Sequence, residues 1–232
     1  MKTRIAKFIA DAGISSRRDA ERLIQSGAVS VNGSVIDTPV FFVDDGDRVV
    51  VNGVPVEVRS ETELYVFNKT MNTMTTADDP LGRKTIYDVL PPEYRHLKYV
   101  GRLDYRTTGL LLMTNDGELA RKLTLPSSKI PRVYVAKVNG RDFSKLNNAR
   151  AGMTVKGITY QPMKIDVLQD KKLRVQIYEG KKNEVRIVLR ACGLPVDRLH
   201  RISYGPIRLH KVRPGAIEPV DQKVIDALLK TL

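Results

Sequence analysis

The chain has 232 residues, of which 42% are apolar, and a formal net charge of +13. That is enough apolar material for a true core and the wrong composition for a disordered chain. One cysteine, Cys192, excludes an internal disulfide and a multi-cysteine zinc site. The three histidines, His96, His200 and His210, have no metal-ligand spacing.

The basic excess points to a polyanionic partner, most often nucleic acid. Residues 1–60 hold eight Lys/Arg and eight Asp/Glu, so residues 61–232, with 31 and 18, carry the whole imbalance. Within the first block, residues 1–27 hold six basic and three acidic residues, and the acids gather later at Asp37, Asp44, Asp45 and Asp47. No run approaches the roughly 20 apolar residues of a membrane helix. Lys7 and Asp11 interrupt the apolar residues at the N-terminus, so no secretory signal is read there, and a cytoplasmic protein is expected.

In chain order, Ile5, Phe8 and Ile9, then Ala20, Leu23 and Ile24, fall at helical spacing and predict helices over 4–11 and 16–25. Ser16 with Asp19 makes a capping-box-like start for the second, and Gly27 stands just past its end. Asn32-Gly33 and Asn52-Gly53 each separate two Val-rich runs, a strong hairpin signal. Residues 57–63 are polar and charged and read as a linker. Leu64 to Phe67 opens a second unit as a strand. Residues 78–83 form a turn-rich loop, Thr85 to Leu90 a short helix stopped by Pro91-Pro92, and Lys98 to Val100 a strand. Further on, the pattern predicts a helix near 117–125, a strand over Arg132–Val138, a helix over 142–150, and strands over Ile158–Leu168 and Leu173–Tyr178. A basic turn (Glu179 to Asn183), a helix over Glu184–Ala191, a strand over Val196–Tyr204 and an amphipathic helix near 220–230 complete it. No regular alternation of strand and helix appears. The fold class is therefore α+β, with a mixed, largely antiparallel sheet flanked by helices and loops.

The most distinctive stretch is Gly101-Arg102-Leu103-Asp104-Tyr105-Arg106-Thr107-Thr108-Gly109 followed by Leu110-Leu111-Leu112-Met113 and Thr114-Asn115-Asp116-Gly117. A carboxylate between two arginines precedes a short apolar run that suits a buried strand. Asp104 is thus expected on a loop at the edge of a rigid core, a common placement for catalytic groups. Taken alone, a surface ion pair with Arg102 or Arg106 fits it as well.

Two resemblances bear on this. Arg4, Lys7, Phe8, Ala12-Gly13, Ser15-Ser16-Arg17-Arg18 and Gly27 to Gly33 resemble the small S-four-type (αL) RNA-binding domain. It implies that Arg4, Lys7, Arg17, Arg18 and Arg22 contact RNA phosphates, which positions the RNA without reading its sequence. Residues 64–215 resemble the catalytic domain of bacterial ribosomal RNA pseudouridine synthases of the RsuA/RluB type, a family that also carries the S-four-type domain in front. The extended Asp104 stretch carries the match, with Pro80-Leu81-Gly82-Arg83, Arg132-Val133-Tyr134, Glu179-Gly180 to Arg186, and Gly193 to Leu199 with Gly205-Pro206 in the expected order. The implied domains are 1–58 (RNA-binding), 59–63 (linker) and 64–232 (catalytic).

The resemblance implies isomerisation of a uridine in ribosomal RNA, with Asp104 attacking the base or the ribose, Tyr134 stacking on the base, and Arg186 pairing with Asp104 to keep it ionised. Arg102 would fill the space of the flipped base or grip a neighbouring phosphate, and Arg83, Arg106, Lys181 and Lys182 would contact RNA. No cofactor or metal is expected, and neither a membrane nor a DNA partner. The substrate would be free ribosomal RNA or a pre-ribosomal particle, and the protein a monomer. Asp79-Pro80-Leu81-Gly82-Arg83-Lys84-Thr85 is closer to members acting on large-subunit RNA. Small-subunit RNA and a non-catalytic role in ribosome assembly are the alternatives. The chain departs from the family in the order Lys181-Lys182-Asn183 and in having Ile187 after Arg186, where the family carries a second arginine.

Overall fold

The computed structural model describes residues 2–57, 61–169 and 171–230. Arg59 and Ser60 of the expected linker lie outside them. Its contacts divide the chain into two compact units. One contains the residues up to Glu63 together with His96–Lys98 and Asn115–Gly117; the other contains the rest.

The first unit begins with β1 (Thr3–Arg4), α1 (Ile5–Asp11) and α2 (Arg17–Gln25). Ser16 caps α2, accepting from the Asp19 backbone N–H at 3.2 Å while its hydroxyl donates to the Asp19 carboxylate at 2.6 Å. β2 (Val29–Val31), β3 (Ser34–Ile36), β4 (Phe42–Val43), β5 (Val49–Val51) and β6 (Val54–Pro55) follow. Both hairpin turns form as expected. Asn32-Gly33 and Asn52-Gly53 have positive φ at both residues (51° and 87°; 51° and 80°), the twist that joins antiparallel strands tightly. Four strands run in the order β3-β2-β5-β6, and β1 pairs with β4. Ile5, Ile9, Ala20 and Ile24 from the helices bury against Val29, Val31, Val49 and Val51.

The second unit is built on one sheet of nine strands. It uses β7 (Leu64–Lys69), β8 (Lys98–Val100) and β9 (Thr107–Thr114). Then come α3 (Gly117–Thr124), β10 (Arg132–Val138), α4 (Leu146–Ala151), β11 (Met153–Val155), β12 (Ile158–Tyr160), β13 (Lys164–Val167) and β14 (Lys172–Ile177). α5 (Glu184–Ala191), β15 (Val196–Tyr204), β16 (Ile207–Arg208), β17 (Ile217–Pro219) and α6 (Gln222–Leu229) close the chain. The sheet order is β13-β14-β10-β15-β9-β7-β17, with β16 beside β15 and β8 beside β9. Only β15–β9 is parallel among the pairs along that order; the rest are antiparallel, so the mixed α+β class holds. β9 is flanked by strands on both sides, and Leu110, Leu111, Leu112 and Met113 are all 0% exposed. A strand buried on both faces reads as an unbroken apolar run. Each such side chain is worth roughly 1.5–3 kcal/mol when fully buried.

Three local expectations change. Residues 85–90 form a turn rather than a helix, because the Asp88 carboxylate takes the Thr85 N–H (2.7 Å) and Ile86 donates to the Met74 carbonyl (2.9 Å). The helix expected from 142 starts at Leu146, since Asp142 folds back onto the Ser144 N–H at 2.9 Å. The strand expected over 158–168 breaks in two at Pro162, which has no N–H to give a ladder. β12 then pairs with β11, and β13 joins the main sheet.

Candidate active site

Asp104 sits on the loop between β8 and β9, and its backbone is gripped from three directions. Leu103 is 4% exposed, and its carbonyl accepts the Thr75 hydroxyl at 2.8 Å. The Thr107 N–H donates to the Asp104 carbonyl at 2.9 Å, closing a turn. From beneath, the fully buried Lys69 ammonium, at the end of β7, donates to the carbonyls of Thr70 (3.0 Å), Thr107 (3.0 Å) and Asp104 (3.4 Å). Burial pushes the Lys69 ammonium down to about 8, while the Asp104 charge opposes that fall. Asp104 itself is half-buried, and among the described residues its carboxylate has no hydrogen-bond or ion-pair partner.

Arg186, on α5, completes the grip but not in the expected way. It forms no ion pair with Asp104. One guanidinium nitrogen donates to the Val196 carbonyl and the other to the Arg106 carbonyl, both at 3.0 Å, and Nε is buried without a partner. Burial pushes this guanidinium down and the charge of Asp104 pulls it up, so the two act on each other through space. The physical reason is that two fixed carbonyls, one on the Asp104 loop and one at the start of β15, take the planar fork.

A cleft of about 480 Å³ opens over this loop, with Asp104, Tyr134, Arg102, Lys182, Glu184 and Arg201 among its walls. Asp104 and Tyr134, 30 residues apart, thus share one cavity. Tyr134 lies on β10 and is 7% exposed. Alternation on this strand places Arg132, Tyr134, Ala136 and Val138 inward. The Cα partner of Tyr134 on β15 is Arg201, whose own partner on β9 is Gly109. Gly109 has φ +102°, and a Cβ built there would lie 2.3 Å from the Arg201 carbonyl oxygen. The glycine that follows Thr108 is therefore required by the close approach of two strands.

The basic turn after β14 is organised by carboxylates. Glu184 is 3% exposed; it accepts the Lys181 N–H at 2.9 Å and keeps one oxygen buried without a partner. Burial, reinforced by the neighbouring Glu179, raises its carboxyl well above the usual range. The Lys181 ammonium is engaged by Glu179, by the Thr159 carbonyl (2.8 Å) and by the Tyr160 ring (5.5 Å). Lys182 is exposed on the cleft wall with no such engagement.

The remaining predicted contacts divide in the same way. Arg102 and Arg106 are exposed, but only Arg102 lines the cleft. Arg83 lies outside it, holding Asp79 through two bonds (2.9 and 2.7 Å) and covering the Tyr105 ring at 6.0 Å. That pairing holds the Asp79 carboxyl down at about 2. In the first unit, Lys7 pairs with Asp11 (3.0 Å), Arg22 with Asp19 (2.9 Å), and Arg4 sits over the Phe42 ring at 5.9 Å. Arg17 and Arg18 are exposed at the start of α2, with no ion pair among the described residues. Lys69, Glu184 and Arg201 were not singled out from the sequence. The readable signal for Arg201 was a charged residue two after Leu199, on the inward side of an alternating strand. Among the described residues, no group of three His, Cys, Asp or Glu side chains is arranged to hold a metal ion. No helix there is long and apolar enough to cross a membrane.

Comparison with known proteins accounts for both units. Residues 63–191 match the family described as RNA pseudouridylate synthase, and residues 3–49 match the S4 domain. An uncharacterised RNA pseudouridine synthase of Rickettsia conorii is 37% identical over 96% of this chain and 98% of its own. The ribosomal large subunit pseudouridine synthase B of Bacillus subtilis is 37% identical over 91% and 89%. A crystal structure of a pseudouridylate synthase superposes with a TM-score of 0.70 at 26% identity, covering 97% of this chain and 99% of the other. With the family match spanning more than half of the chain and relatives of this identity aligned along nearly all of it, the chain belongs to the RNA pseudouridylate synthase family and carries an S4 domain ahead of its catalytic region.

Proposed function

We propose that this protein isomerises a uridine of ribosomal RNA to pseudouridine, in the large subunit, with Asp104 as the nucleophile. The observation that carries the reading is the shared cleft of Asp104 and Tyr134, with an exposed Arg102 at its wall. The large-subunit assignment leans on the Bacillus subtilis relative, a ribosomal large subunit pseudouridine synthase, and on the 79–85 string. Residues 1–58 serve as the RNA-binding domain, 59–63 as the linker and 64–232 as the catalytic domain. The enzyme acts as a monomer, with every residue assigned a catalytic role supplied by the same chain.

The chemistry needs only protein groups. The target base leaves its stack at a cost of a few kcal/mol, offset by phosphate contacts from the basic surface. Asp104 attacks carbon-6 of the base or the anomeric carbon, the glycosidic bond breaks, and the base turns. A bond then forms from carbon-5 to the anomeric carbon, with loss of the carbon-5 proton. Covalent catalysis by a carboxylate requires no cofactor for this. Tyr134 stacks on the base. Arg186 keeps the Asp104 loop in place and adds positive potential, and Arg102 occupies the vacated stack or holds the adjacent phosphate.

The test is Asp104→Asn in a strain whose only copy carries that change. Carbodiimide primer extension across its ribosomal RNA should show one pseudouridine missing, while the purified variant binds RNA as well as the unaltered enzyme. Normal modification in that strain would sink the assignment; a loss in small-subunit RNA would redirect the target.

A further inference from the structure

Arg201 heads the fully buried side chains by volume and is 2% exposed. Its Nε donates to the Leu110 carbonyl at 2.6 Å, and its guanidinium lies 5.3 Å from the centre of the Tyr204 ring. One terminal nitrogen, Nη2, is buried with no hydrogen-bond partner. No carboxylate stands within ion-pair distance of it among the described residues. Arg132, also at the cleft, lies 5.0 Å from the same ring, but its nitrogens are taken by the Tyr178 carbonyl (3.2 Å) and the Tyr204 hydroxyl (3.1 Å).

An unpaired buried charge is costly, and proteins usually pair it or leave it in water. One kept in the wall of a reactive cleft is a functional signal. Arg201 is the cross-strand partner of Tyr134, so both side chains stand on one face of the sheet, and both line the cleft that contains Asp104.

The proposed reaction creates negative charge on the base. If Asp104 adds to carbon-6, the carbon-5–carbon-6 electron pair moves into an enolate ending on O4. If Asp104 attacks the anomeric carbon, the glycosidic pair leaves on N1 and spreads to O2 and O4. In the first route the glycosidic bond then breaks with its pair going to N1, and the enolate pair forms the carbon-5 bond to the anomeric carbon; in the second the delocalised ring anion forms that bond from carbon-5. The bond to Asp104 breaks, and the proton lost from carbon-5 is balanced by one gained at N1. A fixed cation in a water-poor wall stabilises such charge as it develops. Resting on the function proposed above, we infer that Arg201 is the cation that stabilises the anionic uracil ring, a role separate from the loop-holding of Arg186.

The full-length enzyme with Arg201→Gln or Arg201→Lys tests this on a short RNA containing the mapped target, synthesised with uridine or 5-fluorouridine. Fluorine at carbon-5 withdraws electrons and stabilises the ring anion. Single-turnover consumption of the target nucleoside should fall about 100-fold in Arg201→Gln on the uridine RNA, with RNA affinity unchanged. On the 5-fluorouridine RNA the loss should be at least several-fold smaller. Arg201→Lys should recover about tenfold, and it carries the same two-substrate comparison if the glutamine variant does not fold. Equal losses on both RNAs, tracking a lowered Tm, or an unchanged rate, would overturn the role and leave Arg201 as a strand tie. Failure of the underlying function looks different: the unaltered enzyme would then leave both RNAs untouched.

Discussion

Arg186 donates to the carbonyl oxygen of Arg106 at 3.0 Å, across 80 residues of sequence, rather than to the carboxylate of Asp104. Together with the bonds from Lys69 to the carbonyls of Asp104 and Thr107, this makes the Asp104 loop a segment held by two cations through its backbone. The carboxylate is left free to meet a substrate.

Arg186→Lys keeps a charge but loses the planar fork that reaches Val196 and Arg106 together. A shift of about 1 Å in a catalytic group can cost about 100-fold in rate. The turnover rate should therefore fall by roughly that factor, with RNA affinity unchanged, in single-turnover isomerisation assays. A lysine variant as fast as the unaltered enzyme would show that the loop does not depend on the fork.

Lys69 gives the stability curve a distinct alkaline limb. Its ammonium is held down at about 8 in the fold, against 10.5 unperturbed. Between those values the unfolded chain binds more protons, so stability rises with pH through the window; the contribution is lost as pH falls toward 8. The difference corresponds to at most about 3 kcal/mol. In urea unfolding, the stability of the unaltered protein relative to Lys69→Met should improve between pH 8 and 10.5. Parallel curves would mean that Lys69 is not desolvated.

How far the sequence led follows from which interactions are local. The buried β9, the two Asn-Gly hairpins and the bounds of α5 were readable because periodicity and turn chemistry act within a few residues. The partners of Arg186 were not, because a guanidinium chooses between a carboxylate and fixed carbonyls only after α5 and β15 have packed. Lys69 ends an ordinary apolar strand, and nothing nearby in sequence signals that three carbonyls wait for it. Residues 85–90 misread for a similar reason: a carboxylate cap and a bond to Met74 outcompete a helix of six residues.

Gly109→Ala should be among the most damaging single changes in the chain. A Cβ there meets backbone atoms of Arg201 at 2.3 and 2.8 Å, on a residue with φ +102°. Neither strand can give way without breaking the β9–β15 register that places Tyr134 and Arg201. Loss of about 3 kcal/mol or more is expected, read as a fall in the urea midpoint. A near-normal midpoint would show that the strands can separate locally.

Arg17 and Arg18 should account for part of the salt dependence of RNA binding. Both are exposed at the start of α2 with no ion pair among the described residues, whereas Arg22 on the same helix is held by Asp19 at 2.9 Å. Each phosphate contact releases bound counterions, so removing one lowers the slope of log affinity against log salt by roughly 0.7–0.9. Arg17→Gln with Arg18→Gln should thus reduce the slope by about 1.4–1.8 and weaken binding to all RNAs alike. Removing Asp19 and Arg22 together should leave the slope almost unchanged, because that pair carries no net charge. Filter-binding titrations of ribosomal RNA fragments over a range of salt concentrations measure both. An unaltered slope in the Arg17/Arg18 double variant would take this helix out of the RNA interface.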